Sequence, residues 1–203
     1  MPEQETTGPV DPLRELVREA VQGDLGAQRT VLAALGPGLL RVVRAVLGVA
    51  HPDVEDVLQD AMVAVHRALP SFRGECKTLH FGCRVALMTA MNARRRLAYR
   101  SRYTPVAAPE QLDAGPGDGR APAELVAAER RREALRGLLD ELPAAQAEVL
   151  GLHTMLGYSV EETAAATDVP INTVRSRLRL ALAALRARVQ EDRVLLEVLR
   201  GAS

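Results

Sequence analysis

Aromatic residues are almost missing from this sequence: it has no tryptophan, and only two phenylalanines and three tyrosines among 203 residues. A hydrophobic core must therefore be assembled from aliphatic side chains and alanine, and a composition rich in Ala, Leu, Arg and Glu favours helices. No segment shows the alternation of a half-buried strand. Cysteine is scarce as well. Cys76 and Cys83 have no histidine at metal-ligand spacing, which favours reduced structural thiols over a disulfide framework or a zinc site. The residues suggest no metal site and no cofactor. No uninterrupted apolar run approaches the ~18 residues of a membrane span, and the first ten residues are polar and acidic, unlike a secretory leader. A cytoplasmic protein without membrane insertion is expected.

Net charge is absent too, with 26 Lys and Arg against 26 Asp and Glu. That neutrality conceals a partition. Residues 1–75 hold 11 acids against seven arginines, whereas 76–109 hold one lysine, six arginines and no acid. A second basic stretch, 169–190, has five arginines and no acid. Two basic segments in a neutral chain suggest two separate contacts with an anionic polymer.

The second stretch is the most informative. Ser159 precedes a short helical pattern and Glu162 follows three residues later, the spacing of a capping box. Asp168-Val169-Pro170 then breaks the pattern, because Asp tolerates the left-handed conformation and Pro disfavours a helical residue before it. A new helix begins at Ile171. Ile171, Val174, Leu178, Ala181, Leu182, Leu185 and Val189 fall on one stripe at helical period, leaving Asn172, Thr173, Ser176 and Arg179 outward with Arg175 and Arg177 on the flanks. Helix, tight turn and helix with a polar, arginine-bearing outer face match a helix-turn-helix, whose second helix enters the major groove. A basic amphipathic helix alone reads more readily as the solvated face of a bundle than as a nucleic-acid contact. The cap and turn favour DNA.

In the N-terminal half, the apolar pattern Leu13, Leu16, Val17, Ala20 and Val21 predicts a helix from Asp11 that ends near Gly23-Asp24, and another follows from about Gly26 to Leu35. Gly36-Pro37-Gly38 then leaves one kinked helix or two through Leu47. His51-Pro52 ends that segment. The next helix buries Val54, Val57, Leu58, Ala61, Val65 and Leu69, and presents Glu55, Asp56, Gln59 and Asp60, with Asp53 at its start, as an acidic surface. Carboxylates in a first turn are stabilised by the helix dipole at ~0.3–1 kcal/mol each, and Asp53 or Asp56 can cap. Asp60 lies beyond that reach, and Asp56 and Asp60 form a like-charged i, i+4 pair. A basic protein partner would account for the patch. After the loop Pro70 to Glu75, a long helix is expected from Thr78 toward Arg102, apolar at first and ending in an array of Arg94, Arg95, Arg96, Arg100 and Arg102 with Tyr99 and Tyr103. Such an array attracts phosphates and offers rings for unstacked bases.

Residues 104–122 read as a flexible linker, rich in Pro and Gly and without period. The expected fold is all-α: two small helical domains, 11–103 and 123–190, joined by that linker, the second a helix-turn-helix. Within the second, one helix is expected over 123–141 and another, after the Leu142-Pro143 break, over 144–156. Residues 191–203 read as a Leu/Val-rich tail extending the last helix.

The order of these parts resembles bacterial RNA polymerase sigma factors of the small extracytoplasmic-function group. Asp53-Val54-Glu55-Asp56-Val57-Leu58-Gln59-Asp60 resembles the family's polymerase-docking motif, and Phe72-Arg73-Gly74-Glu75 its loop beside the melted base of the minus-ten element. Leu142-Pro143, Tyr158 to Ala164 and Thr173 to Leu178 resemble the domain that reads the minus-thirty-five element. Three such motifs in order, flanking a linker, are specific. Where the family usually has Trp-Leu and, seven residues on, Asn, this chain has Phe81-Gly82 and Met88.

The resemblance implies an alternative sigma factor, without bond chemistry of its own. It would bind core RNA polymerase through Asp53, Glu55, Asp56, Gln59 and Asp60. The minus-ten strand would be held by Phe72, Arg73, Lys77, Arg84, Arg94, Arg95, Arg96 and Tyr99. Upstream promoter DNA would be read by Asn172, Thr173, Arg175, Ser176, Arg177 and Arg179. An anti-sigma factor is a further implied partner. The alternative is a helix-turn-helix regulator whose N-terminal domain only holds another protein.

Overall fold

The computed structural model describes residues 11–103 and 122–200, and the expected linker lies almost wholly outside them. Every regular element in the described residues is helical. The N-terminal domain comprises α1 (Arg14–Val21), α2 (Leu25–Leu47), α3 (Val54–Ala68) and α4 (Thr78–Tyr103), with a single 3-10 turn, Leu69–Ser71, after α3. The C-terminal domain comprises α5 (Pro122–Glu141), α6 (Ala144–Leu150), α7 (Val160–Thr167), α8 (Ile171–Glu191) and α9 (Arg193–Arg200).

Asp24 starts α2 by accepting a hydrogen bond from the Ala27 amide at 2.7 Å, as N-caps do. The Gly-Pro-Gly stretch does not break it. A proline inside a helix costs ~3 kcal/mol, but burying Val31, Leu35, Leu39, Val42 and Val43 returns roughly 1.5–3 kcal/mol each. Burial therefore wins, and α2 is one helix. The glycines allow close approach: a methyl group on Gly38 would lie 2.7 Å from Leu79 of α4. By length and composition α2 is long and apolar enough to cross a membrane, but these residues make it the centre of the N-terminal core. The departure at Gly82 has a packing reason, because a Cβ there would sit 3.1 Å from Leu35.

The C-terminal domain differs from expectation in three places. The helix beginning at Ala144 runs only to Leu150 and becomes a π-helical turn, Gly151–Met155, closed by the Leu156 amide on the Gly151 carbonyl. Gly151 is where this segment meets α4, a Cβ there lying 3.0 Å from Leu87. The tail does not extend α8. Asp192 leaves the helical region, its side chain accepts from the Leu195 amide, and α9 turns back against α5 and α8. On α8 the buried stripe is narrower than the pattern suggests, with Val174, Leu178 and Ala181 buried but Ile171 and Leu182 exposed.

The two domains share one core. Leu142, Ala147, Val149, Leu150, Leu152, Tyr158 and Val174 belong to the same buried cluster as Leu35, Leu87 and Met91. Both cysteines are free and buried, and burial pushes the Cys76 thiol up to about 11.

Candidate functional site

The acidic surface lies on α3. Val54, Val57, Ala61 and Val65 turn inward, which places Glu55, Asp56, Gln59 and Asp60 on the solvent side with Val63. Asp53 stands at the helix start without a capping hydrogen bond and comes within 3.8 Å of His51. Asp60 meets Arg96 of α4 at 4.0 Å, with both side chains about two-thirds exposed, a contact worth little in water. Glu55 and Asp56 have no ion-pair partner among the described residues.

The loop after α3 joins α1 and α4. Phe72 is half-buried, its ring 4.8 Å from that of Phe81. Its remaining surface lines a cavity of about 300 Å³ with Arg14, Val17, Arg73 and Gly74. Phe72 is therefore both a packing residue and a cavity wall. Arg73 is exposed and Lys77 half-buried.

The arginines of α4 divide into two sets. Arg96 and Arg100 are exposed, as is Tyr99 between them. Arg84, Arg94 and Arg95, expected to face nucleic acid, instead engage the C-terminal domain. Arg84 donates to Glu148 at 2.7 Å, Arg94 to Asp140 and Glu133 at 2.7 Å each, and Arg95 to the Leu142 carbonyl at 3.1 Å. Burial holds the Asp140 carboxyl above its ordinary range despite the Arg94 guanidinium beside it. Across the same interface the buried Arg136 of α5 donates to the Ala45 carbonyl at 3.0 Å, satisfying an orphan acceptor in the last turn of α2. The Tyr158 ring stands 4.2 Å from that of His80. Glu133, Arg136, Asp140 and Glu148 are site residues that sequence reasoning misses. Their partners lie 39 to 91 residues away, and no local pattern marks such pairs.

The helix-turn-helix has the expected local chemistry. Ser159 accepts from the Glu162 amide at 3.0 Å and Glu162 accepts from the Ser159 amide at 2.9 Å, completing the capping box. The Ser159 amide and the nearby His80 hold the Glu162 carboxyl below its ordinary value. Asp168 takes the left-handed conformation at φ 53°, and Pro170 precedes α8. On α8, Asn172, Arg175 and Arg179 are exposed, whereas Thr173, Ser176 and Arg177 are half-buried. Arg175 lies 3.8 Å from Glu161 with both groups exposed.

An acidic helix, an arginine-bearing long helix and a helix-turn-helix define a two-domain helical protein built for a protein partner and an anionic polymer. Comparison with known families makes this specific. Residues 31–100 match Sigma-70 region 2, and residues 132–185 match Sigma-70, region 4. The chain is 33% identical over 178 residues to the ECF RNA polymerase sigma factor SigD of Mycobacterium tuberculosis strain H37Rv, covering 86% of this chain and 82% of that one. It is 33% identical over 145 residues to the ECF RNA polymerase sigma-E factor of Escherichia coli strain K12, covering 68% and 74%. Among solved structures, CnrH in complex with the cytosolic domain of CnrY is similar at a TM-score of 0.53 and 26% identity, over 90% of this chain and 99% of that one. The chain belongs to the extracytoplasmic-function group of RNA polymerase sigma factors of the sigma-70 family. It is an alternative sigma factor that directs transcription initiation, and the match to both regions sets aside a regulator that shares only the helix-turn-helix.

Proposed function

We propose that the work is divided among three surfaces. The outward face of α3, with Asp53, Glu55, Asp56, Gln59 and Asp60, docks on a basic surface of core RNA polymerase. The loop from Ser71 to Lys77, with Arg96 and Tyr99, holds the unpaired minus-ten strand. The face of α8 carrying Asn172, Arg175 and Arg179, flanked by Thr173, Ser176 and Arg177, reads the minus-thirty-five element. The chain performs no bond chemistry, works in the cytoplasm beside the polymerase, and is held in check by an anti-sigma factor. The last reading is supported by CnrH having been solved with a protein partner.

The observation that carries the proposal is the α3 surface. Glu55 and Asp56 are exposed on a helix whose other face is buried, and Asp60 has only the weak Arg96 contact. Neither core packing nor capping uses these carboxylates. Truncating or reversing paired charges at an interface costs ~2–5 kcal/mol. The double change Asp56→Arg/Asp60→Arg should therefore abolish capture of core polymerase in a pull-down while leaving helicity and duplex DNA binding intact. Unchanged capture would remove α3 from the docking surface.

A further inference from the structure

α1 precedes the residues that match Sigma-70 region 2, 31–100, and the three surfaces assigned above make no use of it. One face of it is nevertheless organised. Arg14, Val17, Arg18 and Val21 recur every three or four residues and so share one side of the helix. That side meets the loop after α3 across the cavity of about 300 Å³, whose remaining walls are Gln22, Phe72, Arg73 and Gly74. Val17 is buried and Val21 partly exposed, and with Phe72 they make an apolar floor. Arg14, Arg18, Gln22 and Arg73 are exposed and stand around it.

Both walls are fixed to one framework. Asp11, just before α1, accepts from the Thr78 amide, just after the loop, at 2.7 Å. Phe72 donates its amide to the Leu69 carbonyl at 3.0 Å, and its ring packs on Phe81. Gly74 takes φ 76°, where a side chain would be strained, with open space where its Cβ would stand.

The chemistry of this lining suits a base. An apolar floor accepts a planar heterocycle, whereas a phosphate would be desolvated against it. The rim holds no carboxylate, and Arg14, Arg18 and Arg73 offer donors only. Glu15 holds Arg18 at 2.8 Å, but both groups are exposed, so a ligand displaces that pair at little cost. Guanine presents two acceptors, O6 and N7, on one edge, which is the match for a guanidinium fork. Gln22 adds an acceptor oxygen for the donors on guanine's other edge. Only a base that has left the duplex can enter.

We propose that α1 is the second wall of a nucleotide site: one unpaired base of the melted promoter strand lies against Val17, Val21 and Phe72, and Arg14 and Arg18 select guanine there. The inference rests on the strand-capture reading above and adds to it a base preference supplied by α1.

The test uses holoenzyme assembled from core polymerase and the full chain. The probe is the promoter upstream of its own gene, with the non-template strand left unpaired from the minus-ten element onward. Affinity is measured with each unpaired position carrying, in turn, each of the four bases or no base. At one position wild type should bind guanine about tenfold tighter than any other base, and removing the base should weaken binding at least as much. Arg14→Ala/Arg18→Ala should erase that preference at that position and at no other. Arg14→Lys/Arg18→Lys keeps both charges but not the forks and should erase it too, so the test stands even if the alanine pair fails to fold. A lysine pair that retains the preference, or wild type that holds all four bases alike at every unpaired position, would overturn the assignment. If Arg73→Ala weakens binding while neither pair changes any base preference, strand capture stands and the α1 site falls. If Arg73→Ala also leaves binding unchanged, the strand-capture reading falls with it.

Discussion

Asp11 shows how much one side chain can organise. Its carboxylate accepts the Thr78 amide at 2.7 Å, the Thr78 hydroxyl, and the Leu13 amide at 3.1 Å, tying the starts of α1 and α4 together across 67 residues. Burial pushes the carboxyl up, but the Thr78 hydrogen bonds outweigh it and hold Asp11 below the ordinary value of 3.8. Thr78 is fully buried, so Asp11→Ala leaves an amide and a hydroxyl unsatisfied at ~1–3 kcal/mol. Because the folded-state value is depressed, this stabilisation is fully present above the ordinary carboxylate range and is lost as pH falls through the folded value. Urea denaturation should show wild type more stable than Asp11→Ala at neutral pH, with the gap closing under acid. A gap that does not depend on pH would show that the carboxylate charge contributes nothing.

At the scale of elements, α7 and α8 form the part most nearly written in the sequence. The capping box, the left-handed Asp168 and the Pro170 start each depend on residues within a few positions of one another, so a local reading reaches them. The prediction for α8 is correspondingly specific. Arg179→Ala and Arg175→Ala should each weaken duplex promoter binding and flatten its salt dependence by ~0.9 in log–log slope for each phosphate that is no longer neutralised. The exposed Glu161 carboxylate near Arg175 offers little competition. Anisotropy titrations over a range of salt would check this, and an unaltered slope in both variants would move the reading face elsewhere on α8. What escaped the sequence depends on distant partners. Gly36-Pro37-Gly38 leaves one helix or two open until Leu79 is seen against Gly38, and α9 looks like more of α8 until its turn onto α5 is seen. Arg84, Arg94 and Arg95 read as nucleic-acid ligands because the groups they bond lie 39 to 64 residues away, beyond the reach of any local pattern.

For the molecule as a whole, two halves that read as separate domains share a core. Tyr158, the one aromatic residue after residue 122, stands against His80, and Arg136 closes the end of α2. The surfaces proposed to dock polymerase and to read duplex DNA, on α3 and α8, face outward, while three arginines of α4 are covered. The direct test is reconstitution: core polymerase, this chain, and a duplex carrying the promoter upstream of its own gene, with transcripts counted for wild type, Asp56→Arg/Asp60→Arg, and Arg73→Ala. Wild type should start at one position, and the α3 variant should give no transcript on duplex or pre-melted template. Arg73→Ala should fail on duplex and recover on a template opened in advance. A wild-type chain that starts no transcription with a compatible core polymerase, or an α3 variant that starts it normally, would contradict the account.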